Sequence, residues 1–199
     1  MIRIGITGSI AMGKSTIANV FKYLSVPVHD SDLIVKDLLE KNISILKKIG
    51  KNWPDVINNK RFINKQRLRK IAFSNKKDKI KLEKILHPMV KRDRIEFEKK
   101  YNEYKILAFD VPLLYETKQE KTFDYIFLAK CSKETQIKRA MTRKNLDLTT
   151  FNKINSNQYS VEKKISYNPI IINTEYPKFF VFLNIILKLI IIKIKRKYI

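Results

Sequence analysis

The 199-residue sequence predicts an α/β fold of the P-loop NTPase type, a doubly wound parallel sheet of about five strands. Three observations carry that reading. Short β-rich runs alternate with helical ones, the pattern of a parallel sheet covered on both faces. The first run, Ile2-Arg3-Ile4-Gly5-Ile6-Thr7, passes directly into Gly8-Ser9-Ile10-Ala11-Met12-Gly13-Lys14-Ser15. That octet satisfies G-x-x-x-x-G-K-[ST] at every fixed position, and a helical pattern follows it.

Each element follows from its local pattern. Ile2 to Thr7 is short, β-branched and followed by glycine, a buried strand. Ser15 to Leu24 is helical. Val26 to Asp30 reads as a second strand, with His29 on it and Asp32 just past its end. Leu33 to Ile49 is mostly helical with a break near Asn42, and Trp53 to Lys65 is polar and turn-rich. Gln66 to Tyr101 is helical and heavily charged. Ile106 to Asp110 is a third strand and Asp124 to Lys130 a fourth. Lys133 to Lys144 is a helix, and Asn145 to Asn168 a polar, mobile helical segment. Ile170 to Asn173 is a short last strand. Phe179 to Ile194 has apolar residues at helical spacing and reads as a helix packed on the core. Lys188 and Lys193 interrupt it, so it is no clean membrane span, and no membrane partner is expected. The chain reads as one domain over 1–199, with a helical acceptor-binding insertion at about 33–101 and a lid at about 144–168.

Hydrophobic residues make up 44% of the chain and charged residues 31%, which excludes a disordered composition. The start is a strand, not a secretory signal. Cys131 is the only cysteine, so no intramolecular disulfide can form; a buried structural thiol in a cytoplasmic, reducing setting is expected. Lys+Arg total 42 against 19 acidic residues, a net charge of +23. Such an excess invites a polyanion partner. The lysines, however, are spread along the whole chain. Lys, Asn, Ile, Phe and Tyr, all with A/T-rich codons, are abundant together. Codon bias accounts for the charge, so no specific nucleic acid is expected, although a basic surface still attracts anionic nucleotides. A monomer or weak homo-oligomer is expected.

The glycine loop implies phosphate chemistry. Backbone N–H groups of Gly8, Ala11, Met12, Gly13, Ser15 and Thr16 are placed to curl around phosphate oxygens, with the following helix offering its positive N-terminus. Lys14 reaches the β- and γ-phosphates and the Ser15 hydroxyl is a Mg²⁺ ligand, so ATP and Mg²⁺ are the expected cofactors. Asp32 lies at the carboxyl end of the second strand, where ligands bind in such sheets. A carboxylate there can orient an acceptor hydroxyl and take its proton; the plainer role is a helix N-cap. Asp30 is a second carboxylate near the metal. Asp110 ends the third strand, placed to hold a metal-bound water. Arg139 and Arg143 are four apart, on one helix face, placed to neutralise charge on a transferring phosphoryl group. Gln136 lies on the same series of turns.

The ordered segments Thr7 to Thr16, Asp30-Ser31-Asp32, Leu86-His87-Pro88, Asp110-Val111-Pro112-Leu113-Leu114-Tyr115-Glu116 and Gln136 to Arg143 resemble the motifs of the dephospho-coenzyme A kinase family. The resemblance runs from residue 2 to about 143. It implies ATP-dependent phosphorylation of the ribose 3′-hydroxyl of dephospho-CoA, a small-molecule substrate, with Asp32 as the base. It also implies acceptor contacts from His87, Pro112, Leu113 and Leu114, and adenine contacts near Asn173. The chain departs from the family at several points. Ser9, Ala11 and Met12 stand where Gly, Gly and Ser are common, and positive φ at one of them would be strained. Gln158 fits the lid, but Lys164 replaces an arginine, keeping charge and losing the bidentate fork. No glycine follows Asn173.

Other classes fit less well. A nucleoside or nucleotide kinase would share the loop and the lid arginines, without the 86–88 and 110–116 motifs. A GTP switch needs N-K-x-D, and Asn64-Lys65-Gln66-Arg67 lacks the aspartate. A nucleic-acid module would leave the phosphate loop unexplained.

Overall fold

The computed structural model describes residues 1–58, 62–144 and 146–197. Asn145, where the polar segment was expected to begin, lies outside them. Five strands form one sheet: β1 (Ile2–Thr7), β2 (Val28–Asp30), β3 (Ile106–Asp110), β4 (Tyr125–Lys130) and β5 (Ile170–Asn173), in the order β2-β3-β1-β4-β5. The β1–β3, β1–β4 and β4–β5 pairings are parallel. The two most buried strands, β3 and β1, lie side by side in the middle of the sheet. Ile4 and Ile6 of β1 are fully buried, and every residue of β3 is buried, as a sheet covered on both faces requires.

The chain divides into two compact units, residues 1–29 with 101–199, and residues 30–100. The first holds the sheet core, α1 (Lys14–Tyr23), α6 (Lys133–Met141), α7 (Leu148–Ser156), α8 (Val161–Ile165) and α9 (Lys178–Lys197). Ile17 and Phe21 of α1 and Val181, Ile185 and Ile192 of α9 join one cluster with Ile4, Ile6 and Phe127 of the sheet. The second unit holds α2 (Ser31–Lys41), α3 (Ile43–Asn52), α4 (Lys65–Ser74) and α5 (Lys76–Lys100) around Ile45, Ile49, Trp53, Leu68 and Leu86.

Helix ends follow the side-chain chemistry. Asn42 ends α2 and caps α3, accepting from Ile45 N at 3.0 Å, and Asn64 caps α4, accepting from Arg67 N at 3.1 Å. A short polar side chain that satisfies an orphan N–H starts a helix more stably than it continues one. The helix expected over 66–101 is two helices, because Asn75 is extended between them. Pro88 sits inside α5, which runs through it.

Candidate active site

The phosphate loop joins β1 to α1, and its shape depends on residues packed behind it. Gly13 has φ 92°, in the left-handed region. A Cβ there would stand 2.5 Å from Thr174 Oγ1, so both conformation and space demand glycine. At Gly8 a Cβ would come within 2.9 Å of Ala129 Cβ. Ala11 also adopts positive φ, at 61°, the strained case expected where glycine is replaced. Its methyl is buried with Ala140 of α6 and Phe151 of α7, an apolar contact that offsets part of the left-handed cost.

The loop is fastened on three sides. Ile10 N donates to Gln158 Oε1 and Ile10 O accepts from Gln136 Nε2, each at 2.8 Å. Thr174, at the end of β5 and buried, donates its hydroxyl to Met12 O at 2.7 Å. Arg139 grips Thr174 in turn, through Nη1 to Oγ1 at 3.1 Å and Nη2 to the carbonyl at 2.7 Å. Lys164, fully buried, donates to Ser9 Oγ at 3.2 Å and pairs with Glu116 Oε1 at 3.1 Å. Burial holds its pKa below the usual lysine value, opposed by the Glu116 charge. The same Glu116 oxygen accepts from Tyr159 N at 2.7 Å. Tyr115 stacks on Tyr167 with ring centroids 4.6 Å apart, and burial is the first cause of its hydroxyl being pushed up to about 12. The 110–116 motif and the 158–167 segment are thus bound together behind the loop.

Lys14 and Asp110 meet at the base of the loop, and Ser15 follows Lys14 on α1. β3 runs beside β1 with Asp110 opposite Ile6, and Val111 N donates to Ile6 O at 2.9 Å. This register sets Asp110 at the base of the loop, where its carboxylate pairs with Lys14 Nζ. Ser15 is exposed at the start of α1. Among the described residues no cluster of three or more His, Cys, Asp or Glu could hold a metal alone. The hydroxyl of Ser15 and the carboxylate of Asp110 are hard oxygen donors. They suit Mg²⁺, which keeps waters and takes other ligands from substrate phosphates. Beside Ser15 and Thr16 lies a cleft of about 650 Å³, walled by Asn19 and Val20 of α1 and by Lys178 and Phe179 of α9.

Several expected site residues stand elsewhere. Arg139 and Arg143 do not share a helix face. α6 ends at Met141 and Arg143 lies in the turn beyond it, exposed, its N–H bonded to Ala140 O at 3.1 Å. Leu114 is fully buried in the core and offers no surface to an acceptor; Pro112 and Leu113 are partly exposed. Asp30, not Asp32, caps α2, accepting from Leu33 N at 3.0 Å, and Asp32 sits exposed in the first turn of the second unit. His87 is exposed on α5 of that unit. Asn173 spends its side chain on Glu175 N at 3.0 Å. Cys131 is buried with its thiol 3.5 Å from Met12 Sδ, and burial raises its pKa, as a structural thiol requires. The struts Thr174, Glu116 and the Lys164–Ser9 bond carried no separate signal in the sequence. Gln136 stands in the sequence as the first residue of the 136–143 motif and as a neighbour of Arg139 on the helix, without a sign of its bond to Ile10.

Comparison with known proteins gives a consistent picture. A family model described as dephospho-CoA kinase matches residues 2–176. The dephospho-CoA kinase of Prochlorococcus marinus subsp. pastoris is 36% identical over 176 residues, covering 86% of each chain. That of Bartonella quintana is 38% identical over 173 residues, covering 86% of this chain and 88% of its own. The crystal structure of TT1252 from Thermus thermophilus superposes with a TM-score of 0.86 at 24% identity, covering 96% of this chain and 97% of that one. A dephospho-CoA kinase from Campylobacter jejuni superposes with a TM-score of 0.62 at 24% identity, over 94% and 95%. At that identity the two structures speak for the fold.

Proposed function

Because the chain belongs to the dephospho-CoA kinase family, we propose a division of labour among its residues for that family's reaction. The enzyme transfers a phosphoryl group from ATP to the ribose 3′-hydroxyl of dephospho-CoA, giving CoA and ADP, the last step of CoA biosynthesis. The observation that supports the assignment of roles is the Lys14–Asp110 pair at the base of a braced phosphate loop.

Loop N–H groups and Lys14 bind the β- and γ-phosphates, and the purine of ATP lies in the cleft between α1 and α9 against Phe179. Ser15 and, through a bound water, Asp110 would hold Mg²⁺, which would neutralise phosphate charge. Asp32 orients the acceptor hydroxyl and takes its proton. Its rival role is already filled, since Asp30 supplies the α2 cap. Arg143, on its exposed turn, meets the charge of the transferring group. Arg139, committed to Thr174, holds the loop in shape. His87, Pro112 and Leu113 contact the acceptor, and residues 144–168 act as lid. Phosphoryl transfer needs little covalent help, so placing the hydroxyl in line is most of the catalysis. A cytoplasmic protein acting alone or as a weak homo-oligomer fits this scheme.

Steady-state kinetics with dephospho-CoA, adenosine and AMP at matched ATP and Mg²⁺ test it. Dephospho-CoA is expected to be turned over far better than either competitor, and His87→Ala to raise its KM more than that of ATP. Equal kcat/KM with AMP or adenosine would remove the acceptor assignment.

A further inference from the structure

Helix α9 is apolar on two sides, and the fold uses one of them. Val181, Ile185, Leu189 and Ile192 face the core and are buried. Apolar residues at helical spacing over 179–194 predict a helix packed on the core, yet Phe180, Leu183, Leu187, Ile190, Ile191 and Ile194 stay between 39% and 59% exposed. At about 100° per residue, positions 190, 183, 194, 187, 180 and 191 follow one another around the helix in steps of about 20°. They form one stripe with no polar residue in it. Beyond Ile190 the helix surface continues through Phe179 and Ile186 to Lys193, and beyond Ile191 through Asn184 to Lys195 and Lys188. The helix contains no acidic residue. The family model ends at residue 176, before α9 begins.

We propose that the outer face of α9 docks on an anionic lipid bilayer, with the helix lying in the plane of the interface. A continuous apolar stripe flanked by cations is the form such a helix takes. Its side chains enter the acyl boundary while lysines reach sideways to the headgroups. Charge selects the occupant. The chain carries +23, so a second copy would bring the same charge to the same face. A nucleic acid would match the lysines and leave the stripe in water. An anionic membrane surface satisfies both, and attracts clustered Lys and Arg. The helix lies on the membrane and does not span it: among the described residues no helix is long and apolar enough to cross one.

The test is co-sedimentation of the full chain with vesicles of phosphatidylcholine alone and of phosphatidylcholine mixed with phosphatidylserine. Binding to the mixed vesicles is expected to be tighter by on the order of tenfold or more. Leu187→Gln/Ile190→Gln/Ile194→Gln, which touches no residue placed in the active site, is expected to weaken that binding by on the order of tenfold with kinase activity unchanged. Lys193→Gln/Lys195→Gln is expected to weaken it and leave phosphatidylcholine binding unaffected. Three results overturn the proposal. One is no binding of the wild type to anionic vesicles. Another is binding that survives the triple glutamine change, which assigns it to diffuse charge. The third is a solution dimer abolished by the triple change without vesicle binding, which assigns the stripe to a second copy.

Discussion

Lys14 and Asp110 neutralise one another at the base of the phosphate loop, the cation at the start of α1 and the carboxylate at the end of β3. On the proposed scheme each has a second task in phosphoryl transfer, and the pair keeps both in place until phosphate oxygens compete for the lysine. Lys14→Ala is expected to lower kcat/KM by on the order of 10²–10³ without unfolding the protein. Stopped assays on the variant, with circular dichroism to verify the fold, make the comparison. Wild-type activity in a folded variant would end the reading of the loop.

In the proposed scheme Asp30 and Asp32 divide two roles that neighbouring carboxylates could have shared. Asp30→Ala is expected to cost about 1 kcal/mol through the lost α2 cap, seen as a lower midpoint in thermal unfolding. Asp32→Asn is expected to lower kcat with the KM for ATP and the unfolding midpoint near wild type, because the amide fills the same space and cannot take the hydroxyl proton. Unchanged kcat in Asp32→Asn would remove it from the chemistry.

Thr174→Val keeps the shape and removes the hydroxyl joining Met12 O to Arg139. Leaving buried polar partners unsatisfied costs about 1–3 kcal/mol. The expected result is a lower unfolding midpoint together with a raised KM for ATP. A variant with reduced stability and unchanged KM would show that Thr174 supports the fold and not the loop.

The strands of a parallel sheet, the loop and the Asp110 position were legible because each rests on local pattern: alternating apolar runs, fixed glycine spacing and an acid at a strand end. What could not be read joins residues far apart in sequence. Gln158 meets Ile10, Lys164 meets Ser9 and Arg139 meets Thr174, and no spacing rule predicts such pairs. The helix face expected of Arg139 and Arg143 does not form because α6 stops one turn early, a boundary that side-chain periodicity defines poorly. Lys164 reads as a weakened lid arginine, whereas in three dimensions it is a fully buried partner of Glu116.

Ala11 sets two effects against each other. Ala11→Gly relieves a left-handed cost of about 1–2 kcal/mol. It also removes a buried methyl worth about 0.8 kcal/mol and frees the unfolded chain by about 0.4–1 kcal/mol. The expected stability change in denaturant unfolding is close to zero. Ala11→Val, β-branched at φ 61°, is expected to be strongly destabilising. A well-folded Ala11→Val would contradict the backbone geometry.

Glu175 ties the turn after β5 to the start of α6, accepting from Ser132 Oγ at 2.5 Å and Thr135 Oγ1 at 2.6 Å. Those bonds, Ser132 first, hold its carboxyl below the usual glutamate value of 4.5. With the folded pKa depressed, the unfolded chain binds the proton more readily, so the contribution is present above 4.5 and lost as pH falls below it. Glu175→Gln is expected to lower the unfolding midpoint near neutrality, with the difference from wild type shrinking as the pH drops below 4.5. A pH-independent difference would assign the effect to something other than this carboxylate.

The division into residues 30–100 and the remainder sets an order of events on the ribosome. β1 emerges first, but its neighbours in the sheet are β3 and β4, synthesised after the whole helical unit. Trp53, Leu68 and Leu86 find their partners within the nascent segment itself. The helical unit can therefore settle while Ile2 to Thr7 waits unpaired, and the nucleotide loop takes shape only once Thr174 has left the exit tunnel to fasten Met12. A chain stalled at Lys100 would hold a protease-resistant core and no ability to retain ATP.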